Sequence, residues 1–194
     1  MRNLIKSPLI MVGVFLLLVG WVNAQGKFTS KTATMTIEGT STMHDWHMKS
    51  SAADISAMIE TDASGKVTGI KSMSFTMAAK SLKSGKDEMK KNAYKALKTE
   101  QNPNITASLK KADITAKDAK TYAVKSTINL TIAGKTLEVP LDVTLVKISD
   151  SSFSIKGSKS LKMTSFEMKP PSFMMGAVKT GDEITIKFDL TLNQ

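Results

Sequence analysis

The chain contains no cysteine. Disulfides, thiolate metal sites, a cysteine nucleophile and a lipid anchor on a cysteine at a cleavage site are all excluded. Arginine is almost as scarce. Apart from Arg2 every strongly basic side chain is lysine. Proteins that read nucleic acid use arginine for bidentate contacts to bases and phosphates, so this deficit argues against a nucleic-acid partner. Histidine occurs twice, at His44 and His47, and aromatic residues make up 6% of the chain. No apolar run reaches the length of about 20 residues that a continuous membrane helix needs.

What is present begins with a leader. Met1-Arg2-Asn3-Leu4-Ile5-Lys6 is basic, Leu9 to Val19 is apolar apart from Gly13, and Val22-Asn23-Ala24 ends on small or β-branched residues. A basic start, a short apolar core and this ending describe a secretory signal peptide. Cleavage is expected after Ala24, which leaves residues 25–194 as one domain. A domain of this length buries roughly 70% of the surface its unfolded chain exposes, enough to fold without disulfides. Loss of Arg2 and Lys6 takes the formal charge from +10 to +8. A diffuse lysine surface favours solubility and a peripheral attraction to anionic lipid headgroups.

The exported part alternates apolar and polar residues over most of its length, the mark of strands with one buried face. Such stretches run over Phe28–Glu38, Met48–Glu60, Val67–Met77, Ile105–Leu109, Tyr122–Ile132, Leu137–Leu145, Phe153–Met163 and Ile184–Leu192. Turn-forming clusters separate them: Asp62-Ala63-Ser64-Gly65, Ala133-Gly134-Lys135, Ser149-Asp150-Ser151-Ser152 and Thr180-Gly181-Asp182. Pro140 inside one run marks an edge, a bulge or an outward position. Between Ser84 and Thr99 the period changes, with Met89, Ala93, Ala96 and Leu97 at helical spacing and lysines on the other faces. This predicts an amphipathic helix of about four turns with Ser84 and Asp87 at its N-terminus. Asn102-Pro103-Asn104 stops it. The irregular stretch Phe166 to Met175, rich in Phe, Met and Pro, caps one end, lines an entrance, or packs under a long loop. Eight strands at hairpin spacing with one inserted helix make an all-β domain, an antiparallel barrel or a two-sheet sandwich.

Catalytic and metal chemistry are poorly supplied. His44 and His47 lie three apart, so in a strand they face opposite ways, and adjacent Asp45 does not orient either one. No catalytic residue, cofactor or metal site is assigned. Of the 11 methionines that remain after Ala24, Met73 and Met77 sit at strand alternation with Phe75, as core residues do, which favours a deformable apolar lining over a copper site. What remains is binding of an apolar guest.

Several segments carry a resemblance. Gly39-Thr40-Ser41-Thr42-Met43-His44-Asp45-Trp46 resembles the opening strand turn of the YceI-like family of secreted bacterial proteins, in the form common among Bacteroidetes. Ser81-Leu82-Lys83-Ser84-Gly85, the helix ending Ala96-Leu97 and Asn102-Pro103-Asn104-Ile105 resemble the family's central insertion. Leu130-Thr131-Ile132-Ala133-Gly134-Lys135-Thr136 resembles a hairpin of the family. Phe166 through Pro170-Pro171 to Lys179-Thr180-Gly181-Asp182 resembles its C-terminal part. The family implies an extended lipocalin-like eight-stranded antiparallel β-barrel that binds long amphiphiles, notably polyisoprenoid chains such as quinone precursors.

On that reading the chain is a non-enzymatic periplasmic protein that carries or stores an isoprenoid or other long-chain lipid. Trp46, Met73, Phe75, Met77, Ile105, Leu109, Ile128, Leu130, Phe153 and Phe188 are then the expected ligand-binding residues, and His44 is either a satisfied polar group, the favoured reading, or a headgroup contact. Trp46 is also expected to anchor barrel packing, sharing a strand face with His44 while Asp45 and His47 share the other. Two alternatives stand beside this: a periplasmic interaction protein whose barrel is filled by side chains, and a copper or zinc protein. The sequence leaves a homodimer open.

Overall fold

The computed structural model describes residues 24–30 and 33–194. The leader expected over residues 1–24 lies outside the described residues, apart from Ala24. The described chain is mostly strand: β1 (Ala24–Ser30), β2 (Ala33–Ser41), β3 (Trp46–Ser50), β4 (Asp54–Thr61), β5 (Val67–Ala78), β6 (Asn104–Ala116), β7 (Thr121–Ile132), β8 (Lys135–Ser149), β9 (Ser152–Lys162), β10 (Ser172–Phe173) and β11 (Val178–Asn193). One α-helix, α1 (Asp87–Ala96), is inserted between β5 and β6.

The pairing is antiparallel throughout and runs β1-β4-β5-β6-β7-β8-β9-β11. Thr29 of β1 pairs with Asn193 of β11, which closes these eight strands into a ring. The hairpin β2–β3 continues the wall beyond β1 and β4, with β2 paired to β11 from Ala33–Leu190 to Ser41–Thr180. Taken together, β1 with β2 and β3 with β4 cover the first two strands that alternation indicated, the second interrupted between Ser50 and Asp54. The result is the expected eight-stranded, lipocalin-like antiparallel barrel with one helix.

Several local features differ from the sequence reading, each for a physical reason. β6 extends to Ala116 instead of stopping near Leu109. The register shifts between Leu109 and Lys111, so a bulge inserts one residue and the apolar positions resume at Ala112 and Ile114. Thr180-Gly181-Asp182 is not a turn before the last strand. β11 runs straight through it, with a register irregularity between Thr180 and Ile184. The helix is shorter than its apolar stripe, starting at Asp87. Its N-cap is Lys86, without a side-chain cap. Ser84 Oγ instead accepts the Lys86 N–H at 3.2 Å, holding the approach to the helix. Pro140 lies where β8 pairs with β7 alone, as an edge position requires.

The two ends of the barrel differ. At the end carrying the β4–β5, β6–β7 and β8–β9 turns, the interior is filled. Phe28 and Phe153 meet edge-to-face at 4.9 Å between ring centres. Tyr122 is buried beside them, and its hydroxyl accepts the Val67 N–H at 3.2 Å. Leu145 and Leu192 are fully enclosed. A buried phenol with a satisfied hydroxyl and an aromatic pair make a dense plug.

The opposite end is built from the β2–β3 turn, the helical insertion and the segment before β11. Tyr94 on α1 places its hydroxyl 2.8 Å from the Lys80 carbonyl and 2.9 Å from that of Leu82, fixing the helix to the chain leaving β5. That chain pairs with β3 in turn: Lys49 and Lys83 exchange backbone hydrogen bonds of 2.9 and 2.8 Å. At this end β8 and β9 part company. They pair from Ser149–Ser152 only as far as Val143–Gly157. A 3-10 turn, Met163–Phe166, packs against β8, β9 and β11 there, with Phe166 buried. The Thr164 hydroxyl and backbone N–H both donate to the Asp182 carboxylate, at 2.6 and 2.9 Å, and hold this turn to β11. Those bonds, the hydroxyl first, keep Asp182 below its ordinary pKa of 3.8. An ion pair between Lys135 and Glu167, at 2.6 Å, ties the following residue to the β7–β8 turn.

Candidate ligand-binding cavity

Alternation aims one row of each strand inward, but the rows do not fill the barrel. A cavity of about 540 Å³ lies between the aromatic plug and the helix. Val124, Ile155, Leu190 and Leu192 border it on the plug side. Its walls include Met35 and Ile37 of β2, Trp46 and Met48 of β3, Ile70, Met73, Phe75 and Met77 of β5, and Ile105, Ala107 and Leu109 of β6. Ile128 and Leu130 of β7 and Phe188 of β11 complete the ring. Many of these apolar side chains pack against the core on one side yet are only partly buried, because their other side borders the cavity.

Two wall aromatics owe their position to glycines. Trp46 pairs with Gly39 across β2–β3, and a Cβ on Gly39 would lie 2.4 Å from the indole Cζ2. The ring therefore lies flat over the bare backbone, and its Nε1–H donates to the Thr40 carbonyl at 2.9 Å. Phe188 lies over Gly157 of β9 in the same way, with a built Cβ 2.6 Å from Cζ. Each glycine lets a large ring lie against the wall rather than project across the cavity.

The helix and the irregular segment close the space at the other end. Met89, Asn92, Ala93, Ala96 and Leu97 of the helical insertion face it, as do Met163, Met168, Pro171 and Phe173. Alternation alone did not assign these residues to the cavity. Their signal was the apolar stripe of the helix and the Phe/Met/Pro composition of the irregular stretch, neither of which says what it packs against.

Polar side chains are few and mostly gathered at this end: Ser41, His44, Lys86, Glu88, Asn92, Lys159 and Thr180. Ser126 lies in the apolar wall, but its hydroxyl donates to the Leu141 carbonyl at 2.7 Å and is satisfied there. His44 sits in the β2–β3 turn rather than in a strand. Ser41 Oγ donates to the His44 carbonyl at 2.7 Å, His44 Nδ1 lies 2.8 Å from the Asp45 carbonyl, and Nε2 lies 3.5 Å from Lys86 Nζ. His44 and Trp46 both border the cavity, whereas His47 does not and is exposed on β3, opposite Glu38. Among the described residues no three His, Asp or Glu side chains gather where they would hold a metal ion.

Of the residues expected to meet a ligand, Trp46, Met73, Phe75, Met77, Ile105, Leu109, Ile128, Leu130, Phe188 and His44 all border this one space. Phe153 does not. It does face inward, but it lies beside the β8–β9 turn, fully buried against Phe28 at the filled end. Period two reports the face of a residue and not its height in the barrel.

Comparison with known proteins now bears on this geometry. The model of the YceI-like domain matches residues 23–192. The chain belongs to the YceI-like family. No curated protein matches its sequence. Among solved structures, BcnA of Burkholderia cenocepacia is similar at 20% identity, with a TM-score of 0.60 over 82% of this chain and 95% of that one. A polyisoprenoid-binding domain from Saccharophagus degradans, implicated in plant cell wall breakdown, matches at 10% identity and a TM-score of 0.64, covering 88% and 99%. The YceI protein of Campylobacter jejuni matches at 19% identity and a TM-score of 0.55, covering 73% and 81%. At these identities the structures show a shared fold. Among the described residues, no helix of this YceI-like chain is long and apolar enough to cross a membrane.

Proposed function

We propose that this YceI-like protein is a non-enzymatic binding protein that carries or stores a long amphiphilic lipid, of the polyisoprenoid or isoprenoid-quinone class, in the barrel cavity. The observation that carries this reading is the asymmetry of the cavity. About 540 Å³ of space is walled by aliphatic, methionine and aromatic side chains, and its polar groups collect at the helix end. That volume falls within the range of about 300–1,000 Å³ that holds small-molecule ligands. It does not suit a barrel filled by its own side chains. An apolar tail extends toward the plug while a polar head stays near His44 and Lys86. The S. degradans domain, described as polyisoprenoid-binding, supports the choice of ligand class. The basic and apolar leader supports export to the periplasm, with cleavage after Ala24.

Burial supplies about 0.8 kcal/mol per methylene removed from water. Net affinity is smaller, near 0.3 kcal/mol per heavy atom for larger ligands. A guest of about 20 heavy atoms therefore binds with about 6 kcal/mol, a Kd of some tens of micromolar. Methionines such as Met35, Met73 and Met77 let the wall adapt to a branched chain.

The test is lipid extraction and mass spectrometry of protein purified from its native host, together with uptake of added polyprenyl lipid. Co-purification of an amphiphile in stoichiometric amount is expected. Repeated absence of any bound amphiphile, with no uptake of added lipid, would overturn the proposal.

A further inference from the structure

The helix end of the barrel presents exposed apolar side chains that packing does not explain, one of which, Met43, also borders the cavity. Among the described residues the exposed large hydrophobic side chains are Met43, Ile148 and Met175. Ile148 stands near the β8–β9 turn at the filled end. The other two both stand at the cavity end, on neighbouring loops: Met43 is 68% and Met175 109% exposed. The loops are joined by backbone. Thr42 N–H donates to the Lys179 carbonyl at 3.0 Å, and Lys179 N–H donates to Thr42 Oγ1 at 3.2 Å.

Met175 also adopts φ 55°, ψ 28°, a left-handed conformation that residues with a side chain avoid. The fold gains no burial from a methionine held outward in this way. Beside the pair stand uncompensated cations. Lys86 reaches the β2–β3 turn through His44, and the insertion over residues 79–103 carries seven lysines against three carboxylates. Among the described residues Lys83, Lys86, Lys95 and Lys179 form no ion pair.

We propose that this end docks on an anionic bilayer, with Met43 and Met175 entering the headgroup boundary and the neighbouring lysines contacting lipid phosphates. The inference rests on the lipid-binding reading of the cavity, whose polar end it would bring against the membrane. Two methionines are too little apolar surface for a stable protein interface, which buries about 1,200 Å² or more in total. Shallow apolar prongs combined with basic side chains are sufficient for reversible attachment to charged lipid.

The experiment uses the chain from Gln25 and sedimentation with two kinds of vesicle, phosphatidylcholine alone and equal parts phosphatidylcholine and phosphatidylglycerol. Farnesol uptake from cyclodextrin is measured on the same samples. The unmodified protein should sediment with the anionic vesicles only, and more weakly as salt is raised. The pair Met43→Ser and Met175→Ser should lower partitioning by about tenfold or more, and Lys86→Gln and Lys179→Gln by about fivefold each. Lys179→Gln and Met175→Ser alone, whose side chains do not border the cavity, should take up farnesol unchanged. No sedimentation of the unmodified protein, or equal sedimentation of the methionine variant, overturns the docking surface. Farnesol uptake in those samples would leave the cavity reading standing. Vesicle binding without farnesol uptake does the reverse. A concentration-dependent dimer that the methionine substitutions abolish, without vesicle binding, replaces the membrane by a second copy and overturns the proposal.

Discussion

Replacing Gly39 by alanine should cost far more than a methyl group on a strand ordinarily does. Gly39 is not in the left-handed region, so alanine meets no backbone penalty there. Its Cβ, however, would lie 2.4 Å from Cζ2 and 2.7 Å from Cε2 of Trp46. Ordinary carbon contacts are about 3.5–4.0 Å, so the indole must retreat by roughly 1 Å or more. A rigid bicycle cannot bend away at one corner. Its Nε1 then leaves the Thr40 carbonyl, now 2.9 Å away, and the hydrogen bond is lost. Overpacking costs about 1–3 kcal/mol, and the hydrogen bond about 1 kcal/mol. The smaller conformational freedom of alanine in the unfolded chain offsets about 0.4–1 kcal/mol. The net loss is about 1.5–3 kcal/mol, a fall in Tm of roughly 4–10 °C for a domain this size. In a chain starting at Gln25, Trp46 is the single tryptophan, so its emission reports the same event. Thermal unfolding followed by fluorescence gives both readouts from one sample. An alanine variant with unchanged emission and a Tm within about 1 °C of the parent would show that the ring is not held against Gly39.

Phe153→Ala, in the filled end, should destabilise by about 3–5 kcal/mol, whereas Phe75→Ala, on the cavity wall, should cost under about 2 kcal/mol and change guest affinity instead. Denaturant titration of the two variants checks this, and equal losses would refute the division of the barrel into filled and hollow ends. Ala107→Phe narrows the cavity and should abolish uptake of a polyprenyl guest with little change in Tm, as read by ligand titration beside thermal unfolding. Thr164 holds Asp182 below its ordinary pKa of 3.8, so the latch between the Met163–Phe166 turn and β11 is fully present above that value. It is lost as pH falls through the lower, folded value. Hydrogen exchange at the Thr164 amide, corrected for intrinsic rate, should show protection falling with acid in the parent, and a low, pH-independent protection in Asp182→Asn.

The barrel was legible because alternation survives wherever one face is apolar, as in Tyr122 to Ile132. The interruptions were less legible. The change of neighbour from β4, which pairs with β1, to β3, which pairs with β2, lies inside a run that alternates on both sides. The bulge at Lys110-Lys111 looks like the end of a strand because two lysines fall together. The lining residues from β3, β5, β6 and β7 followed from facing inward. Phe153 shows the limit, since a residue facing inward at the plug and one facing inward at the cavity have the same local sequence. The roles of Met89, Ala93, Met168 and Phe173 depend on where the insertion and the last loop fold back, a long-range outcome with no local signature. The glycines beneath Trp46 and Phe188 were also silent, because neither partner is near the other in sequence in the case of Gly157, and the turn between Gly39 and Trp46 had first to be placed.

The closure of the ring through Thr29 and Asn193 bears on how the protein is made. The two residues that complete the wall are far apart in the chain, so β11, made after the other seven strands of the ring, is the one that shuts the barrel. Until β11 arrives, β9 and β2 lack a common partner, and the growing sheet carries two open edges able to pair with other chains. Contacts so distant in sequence also make closure slow. A chain lacking β11 should therefore fail as a whole and aggregate, rather than yield a barrel with one strand missing.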